Sequence, residues 1–195
     1  MQILGVGASP RKNSNSTAMM RAALSGAQAE GAETDSALLR RYQFSSCIGC
    51  EKCRTDKKCT GLNDGMTLLY PKIEAAHGLV LSTPVHFYNV TALCKAFIDR
   101  LYCYFDFDMK NRPRAWSSRL AGQGRKAVIL AIGEQPDKHD LGVVMDAMRL
   151  PLESLGYEIV DSFNVLSVFD AGRVRKDDEA LARCEEAGRE LAKAL

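Results

Sequence analysis

Apolar runs long enough to cross a bilayer are missing from this sequence. A membrane helix needs about 20 consecutive apolar residues, and the apolar stretches here are far shorter. An excess of one charge is missing too. Lys and Arg number 26 against 24 Asp and Glu, a formal net charge of +2. The basic residues form no stripe, so nucleic acid is excluded as an expected partner. Repeats, low-complexity tracts and linkers are also absent, which reads as one domain over 1–195 with a sizeable core. The opening MQILGVGASPRK has too short an apolar stretch, and no basic region before it, to read as a signal peptide. A cytoplasmic protein is therefore expected. Tryptophan occurs once, at Trp116. Cysteine is not scarce, with seven in the chain. In a reducing compartment clustered thiols point to metal or redox chemistry more often than to structural disulfides.

What is present is an alternation of short apolar runs with longer amphipathic ones. QILGVGAS (2–9) reads as a strand, and 15–30 as a helix that Gly31 is placed to stop. ETDSALLRR (33–41) is a more polar strand suited to an edge, and a helix is expected from about 64 to 76. GLVLSTP (78–84) and KAVILAIG (126–133) are continuous apolar runs, as in strands buried on both faces. Between them, 90–102 is a helix with Val90, Leu93, Cys94, Phe97, Ile98 and Leu101 on one stripe. Residues 104–125 fit no period. A helix over 139–155, with Pro151 awkward near its end, a strand over 157–168 and a helix over 177–194 complete the chain. Cys94 and Cys184 fall on buried helix stripes and read as core; Cys103 has no assigned role. The pattern predicts an α/β fold: a five-stranded parallel sheet between helix layers, a flavodoxin-like three-layer sandwich of strand order 2-1-3-4-5. In such sheets ligands bind beyond the carboxyl ends of the strands, at the switch point.

Three loops open there. GASPRKNSNST (7–17) is crowded with hydroxyls and amides, carries Arg11, and runs into a helix start that favours a phosphate. Ser9, Ser14, Asn15, Ser16 and Thr17 are its candidate donors. Neither the dinucleotide fingerprint nor a P-loop is complete, and a terminal monophosphate fits better than a simple helix cap. STPVHFYNVT (82–91) offers Pro84, Val85, His86, Phe87, Tyr88 and Asn89 to a planar ring. IGEQPDKHD (132–140) offers Gly133, Glu134 and Gln135 to the ring's other side.

Taken together, ILGVGASPRKNSNS, CIGCEKCRTDKKC, the NDGM at 63–66 and TPVHFYNVTALCKAFIDR resemble the iron–sulfur flavoproteins, within the NADPH-dependent FMN reductase family. The resemblance covers residues 2 to 133. It implies FMN as cofactor, with Ser9, Arg11, Asn15 and Ser16 at its phosphate. It places Pro84, Val85, His86, Phe87 and Asn89 beside the isoalloxazine and ribityl chain, and Gly133 and Glu134 in the third flavin loop. It also implies self-association as a homodimer or homotetramer, with the aromatics Tyr104, Phe105, Phe107 and Trp116 as a candidate surface.

Four cysteines, Cys47, Cys50, Cys53 and Cys59, crowd the loop 47–59 with spacing C-x2-C-x2-C-x5-C. An iron–sulfur cluster, a zinc ion, disulfides and a redox dithiol all use such thiols. The tight run suits a [4Fe–4S] cubane, whose iron corners are spread apart, better than zinc, which favours two separated C-x2-C pairs. Lys52, Arg54, Lys57 and Lys58 against Glu51 and Asp56 leave a positive surplus opposite an anionic cluster. The first reading is an FMN-dependent oxidoreductase with a [4Fe–4S] cluster, moving electrons between a reduced donor, ferredoxin or NAD(P)H, and a small acceptor. The second is a cluster-free NAD(P)H-dependent FMN or quinone reductase. The third is a flavin electron carrier without enzymatic activity, its four-cysteine site holding zinc or empty. Hydride and electron transfer require no acid or base side chain, so no catalytic residue is named.

Overall fold

The most apolar runs of the chain form the middle of a sheet. In the computed structural model, which describes residues 1–111, 113 and 115–195, the strands are β1 (Gln2–Gly7), β2 (Glu33–Leu38), β3 (Gly78–Pro84), β4 (Phe105–Phe107), β5 (Trp116–Ser118), β6 (Lys126–Ile132) and β7 (Glu158–Val165). The helices are α1 (Asn15–Ala29), α2 (Cys53–Asp56), α3 (Tyr70–Ala75), α4 (Ala92–Arg100), α5 (Val144–Leu155) and α6 (Asp178–Ala194). Five strands pair in parallel in the order β2-β1-β3-β6-β7. Counted alone, these five have the expected 2-1-3-4-5 order. The polar run is the edge strand β2, as its composition demands.

Side chains alternate across the sheet. Leu79, Leu81, Ala127 and Ile129 meet Ile73 of α3, Phe97 of α4 and Leu152 of α5 on one face. Ile3, Val80, Val128 and Leu130 meet Met20 and Ala23 of α1 and Cys184 and Leu191 of α6 on the other. Three layers result. Cys94 and Cys184 are fully buried, as their stripes require. Among the described residues no helix is long and apolar enough to cross a membrane.

Helix α1, into which the polar loop 7–17 runs, crosses α6 with the two backbones in contact. A Cβ at Gly188 would lie 1.8 Å from the Ala23 carbonyl oxygen, and one at Gly26 would lie 1.9 Å from that of Glu185. Glycine to alanine inside a helix ordinarily stabilises by about 1 kcal/mol. Here the sign reverses, because neither backbone can yield. Gly188→Ala is expected to cost about 3 kcal/mol and to lower the melting temperature by roughly 6–12 °C for a chain of this size. A calorimetric scan reads it, and an unchanged or higher melting temperature would contradict the close crossing.

Several elements differ from the expectations. The 64–76 helix is broken. A 3-10 turn over Gly65–Leu68 precedes α3, which restarts with Pro71 in its first turn, where the missing N–H costs nothing. The 139–155 helix is also two pieces, a 3-10 turn over Lys138–Leu141 and α5, parted by Gly142. Pro151 is accommodated within α5. The aperiodic 104–125 segment contains the antiparallel pair β4–β5, whose three-residue strands are too short to show a period. Arg112 and Arg114 of that segment lie outside the described residues. Tyr104 is a correction to the proposed aromatic surface: it is buried edge-to-face against Tyr70. Trp116 is exposed.

Candidate functional site

Parallel pairing sets the carboxyl ends of β1, β3 and β6 level. Gly7 lies opposite Ser82, and Pro84 opposite Ile132. Their loops therefore open together along one edge, and two cavities lie there side by side.

The first cavity has a volume of about 780 Å³ and is lined by Ser9, Arg11, Ser14, Asn15, Ser16, Pro84, Val85, His86, Phe87, Gly133 and Glu134. Its polar end is the start of α1. Ser14 caps that helix, its Oγ accepting the Thr17 N–H at 3.2 Å. The Ser16 hydroxyl lies 3.0 Å from that of Ser14, and the Ser9 Oγ accepts the Arg11 amide at 3.2 Å. Ser9, Ser14 and Ser16 are buried, while Arg11 is exposed at the rim. The first helical amides, at Asn15 and Ser16, have no intrahelical acceptor by helix geometry. Hydroxyls, free N–H groups and the positive dipole end together form an anion cradle.

Two members of the predicted set play a different part. The amide of Asn15 is engaged at both ends: Nδ2 donates to the Asp170 carbonyl at 2.8 Å and Oδ1 accepts from the Val174 amide at 3.2 Å. Its side chain ties the loop after β7 to α1, leaving its backbone N–H for an anion. Thr17 is buried behind the cap and does not line the cavity.

The other end is bordered by a tight turn. His86 and Asn89 exchange backbone hydrogen bonds of 2.8 and 3.1 Å, and Phe87 and Tyr88 at the tip take φ of 47° and 63°. Such left-handed pairs usually need Gly or Asn, so HFYN carries no sign of this turn. The Val143 amide holds it by donating to the Tyr88 carbonyl at 2.9 Å. Gly142 permits this approach, since a Cβ there would come within 2.2 Å of the same oxygen. The turn leaves Phe87 96% exposed at the cavity mouth. Leu166, Val168 and Phe169, from a loop after β7 with no recognisable motif, complete the wall.

Asn89 faces the other way. Its Oδ1 accepts from the Val90 amide at 2.8 Å, and the residue lines the second cavity, of about 900 Å³. All four loop cysteines line that cavity, with Ile98, Leu101, Tyr102 and Phe105. Tyr88 and Leu141 border the first cavity, and Asn89 and Val143 the second. Tyr88 and Asn89, adjacent in one turn, thus border different cavities.

Cys47 and Cys50 are exposed, while Cys53 and Cys59 are half-buried. Burial and the neighbouring thiols of Cys59, Cys47 and Cys50 push the Cys53 thiol up, which places the four in one electrostatic neighbourhood. Among the described residues, no three His, Cys, Asp or Glu side chains converge closely enough to hold a single metal ion. A cubane asks for less convergence than one ion does, because each thiolate binds a different corner. Four thiols around one roomy, largely apolar cavity fit that group.

Nothing in the run of cysteines hints at how firmly this loop is fastened. Arg54 donates to the Tyr102 hydroxyl at 3.0 and 3.2 Å, lies over the Tyr102 and Phe107 rings, and pairs with Glu51 at 2.7 Å. Lys57 pairs with Asp106 of β4 at 2.7 Å, and Arg119 donates to the Lys57 and Cys103 carbonyls. The hairpin is therefore the brace of the cysteine loop. Behind it, Arg100 grips Asp64 with both terminal nitrogens, at 2.7 and 3.1 Å. Burial opposes charge on Asp64, but hydrogen bonds from Arg100 and from the Ser45 and Met66 amides outweigh it and hold the carboxyl below its usual range.

Residues 1–133 match the sequence model of the NADPH-dependent FMN reductase family. An iron–sulfur flavoprotein of Methanosarcina thermophila is 34% identical over 152 residues, covering 75% of this chain and 78% of its own. One of Methanocaldococcus jannaschii is 36% identical over 100 residues, 51% of each chain, so that relative is matched over about half its length. The NAD(P)H:quinone oxidoreductase of Methanothermobacter marburgensis superposes with a TM-score of 0.71 over 98% of each chain at 22% identity, a likeness of fold.

Proposed function

Because the chain belongs to the NADPH-dependent FMN reductase family and, within it, to the iron–sulfur flavoproteins, we propose that it is an FMN-dependent oxidoreductase with a [4Fe–4S] cluster. It passes electrons between a reduced donor, NAD(P)H or ferredoxin, and a small acceptor. The observation that carries this reading is the pair of adjoining cavities, one built as an anion cradle with a ring-sized mouth, the other lined by four thiols. FMN supplies paired or single electrons when bound, and the cluster single ones.

The residues do the holding. The amides of Asn15 and Ser16, the hydroxyls of Ser9, Ser14 and Ser16, and the guanidinium of Arg11 receive the phosphate. Val85, His86, Phe87, Gly133 and Glu134 border the ring. Cys47, Cys50, Cys53 and Cys59 supply four thiolates. The turn at Tyr88 and Asn89, which borders both cavities, would lie between the two groups. Exposed Phe87 at one mouth and exposed Leu150 at the other support completion of both by another subunit, as a homodimer or homotetramer.

Flavin and metal counted on one anaerobic preparation test the reading. About one FMN and about four iron per chain are expected, with a broad absorbance shoulder from the cluster beside the flavin bands. Flavin without iron would leave the cluster-free NAD(P)H-dependent FMN or quinone reductase. Flavin that no pyridine nucleotide reduces would favour a carrier without enzymatic activity. Colourless protein that refuses FMN would end all three readings.

A further inference from the structure

One buried donor beside the cysteines has no acceptor among the described residues. Arg100 is 2% exposed. Its Nη1 donates to the Ser45 carbonyl at 2.9 Å and to Asp64 Oδ2 at 2.7 Å, and its Nη2 to Asp64 Oδ1 at 3.1 Å. Its Nε is buried with no hydrogen-bond partner. Native structures rarely leave a buried donor unmatched, and an exception points to a group that the site is built to receive. A guanidinium stays ionised in any protein setting, so this N–H is a strong donor in search of an anionic acceptor.

The surroundings say which acceptor. Arg100 lines the same cavity as Cys47, Cys50, Cys53 and Cys59. The hydroxyl of Tyr70 donates to the Arg100 carbonyl at 3.2 Å and does not accept from Nε, which has no partner among the described residues. Asp64 is saturated, taking two nitrogens of Arg100 and the amides of Ser45 and Met66. A neutral thiol accepts a hydrogen bond poorly. A thiolate, the form that binds metal, accepts well.

We infer that Arg100 is a positioning residue of the cysteine site, its free Nε–H reserved for a sulfur of the metal-bound loop. Asp64 holds the guanidinium in place from the opposite side. The pair joins two segments that follow the loop in sequence, the NDGM at 63–66 and the end of α4. Hydrogen bonds to cluster sulfurs raise the reduction potential, because they favour the more negative, reduced form. The inference rests on the reading that these cysteines hold a [4Fe–4S] cluster.

Arg100→Lys keeps the charge and the partner Asp64 but deletes the lateral N–H. The iron-replete variant is expected to show a reduction equilibrium of the cluster shifted about tenfold toward the oxidised form, about 59 mV lower for a one-electron couple, with the flavin potential unchanged. An unshifted cluster potential would overturn the inference. A second measurement needs no variant at position 100 to fold. In protein labelled with 15N-arginine, electron spin echo modulation of the reduced cluster should reveal a 15N coupling, and the coupling should persist in Arg54→Lys. Absence of that coupling, or its loss in Arg54→Lys, overturns the role of Arg100 while the cluster stands. Absence of iron from anaerobic protein overturns the cluster reading and the inference with it.

Discussion

Ser14→Asp is expected to leave the fold intact and to weaken FMN binding about a thousandfold. Ser14 does two things that this substitution separates. Its oxygen caps α1 by accepting the Thr17 amide at 3.2 Å, and Asp caps a helix as well as Ser does. A carboxylate at a helix start also gains from the dipole. The apoprotein should therefore melt at or slightly above the wild-type temperature. The same oxygen lines the anion cradle, where a phosphate would arrive with close to two negative charges. Two unit charges about 4 Å apart repel by about 4 kcal/mol at an effective dielectric constant of 20, which is about three decades in affinity. The added atoms enter a cavity of about 780 Å³, so overpacking does not confuse the result. Quenching of FMN fluorescence on titration gives the affinity, and a thermal melt of the apoprotein gives the control. Wild-type affinity in S14D would place the phosphate elsewhere. Lost affinity with a lowered melting temperature would show only a damaged helix.

The parts of the molecule legible in the sequence were those fixed by local pattern. Runs such as GLVLSTP and KAVILAIG are apolar at every step, which only a strand covered on both faces requires, and they became β3 and β6. The hydroxyl-rich stretch before α1 was legible because cap, amides and anion cradle all belong to consecutive residues. What depends on distant partners was not. Asn15 looked like a phosphate donor, yet its amide is held by Asp170 and Val174, more than 150 positions away. Asn89 looked like a flavin contact, and the left-handed turn at Phe87 and Tyr88 carries it through to the cysteine side of the wall. The buried pair of Asp64 and Arg100 spans 36 positions, and neither residue is unusual in its own neighbourhood. The bracing hairpin is not legible because strands of three residues carry no period.

Cys50→Ser should remove the iron and spare the flavin, the largest change expected from a single atom in this chain. The seven cysteines fall into two physical classes. Burial, chiefly, pushes the thiols of Cys94, Cys103 and Cys184 up to about 12, so they stay neutral and inert at ordinary pH. Cys50 is exposed on a loop, its sulfur lying beside Gly61. Exposure means that serine in its place should alter stability by no more than about 0.5 kcal/mol. A serine hydroxyl is a poor substitute for a thiolate ligand, so a four-thiolate site loses a corner and the iron content should fall below about one per chain. The flavin should remain, because no residue of 47–59 lines the first cavity. Cys184→Ala is the matched control: it lies on the far face of the sheet against α1 and should keep the iron. Kinetics then separate the two enzymatic readings. If the cluster divides electron pairs, C50S should still oxidise NAD(P)H with a two-electron acceptor such as a quinone and should fail with a one-electron acceptor. Undiminished transfer to the one-electron acceptor would assign the traffic to the flavin alone and reduce the cysteine loop to a structural feature.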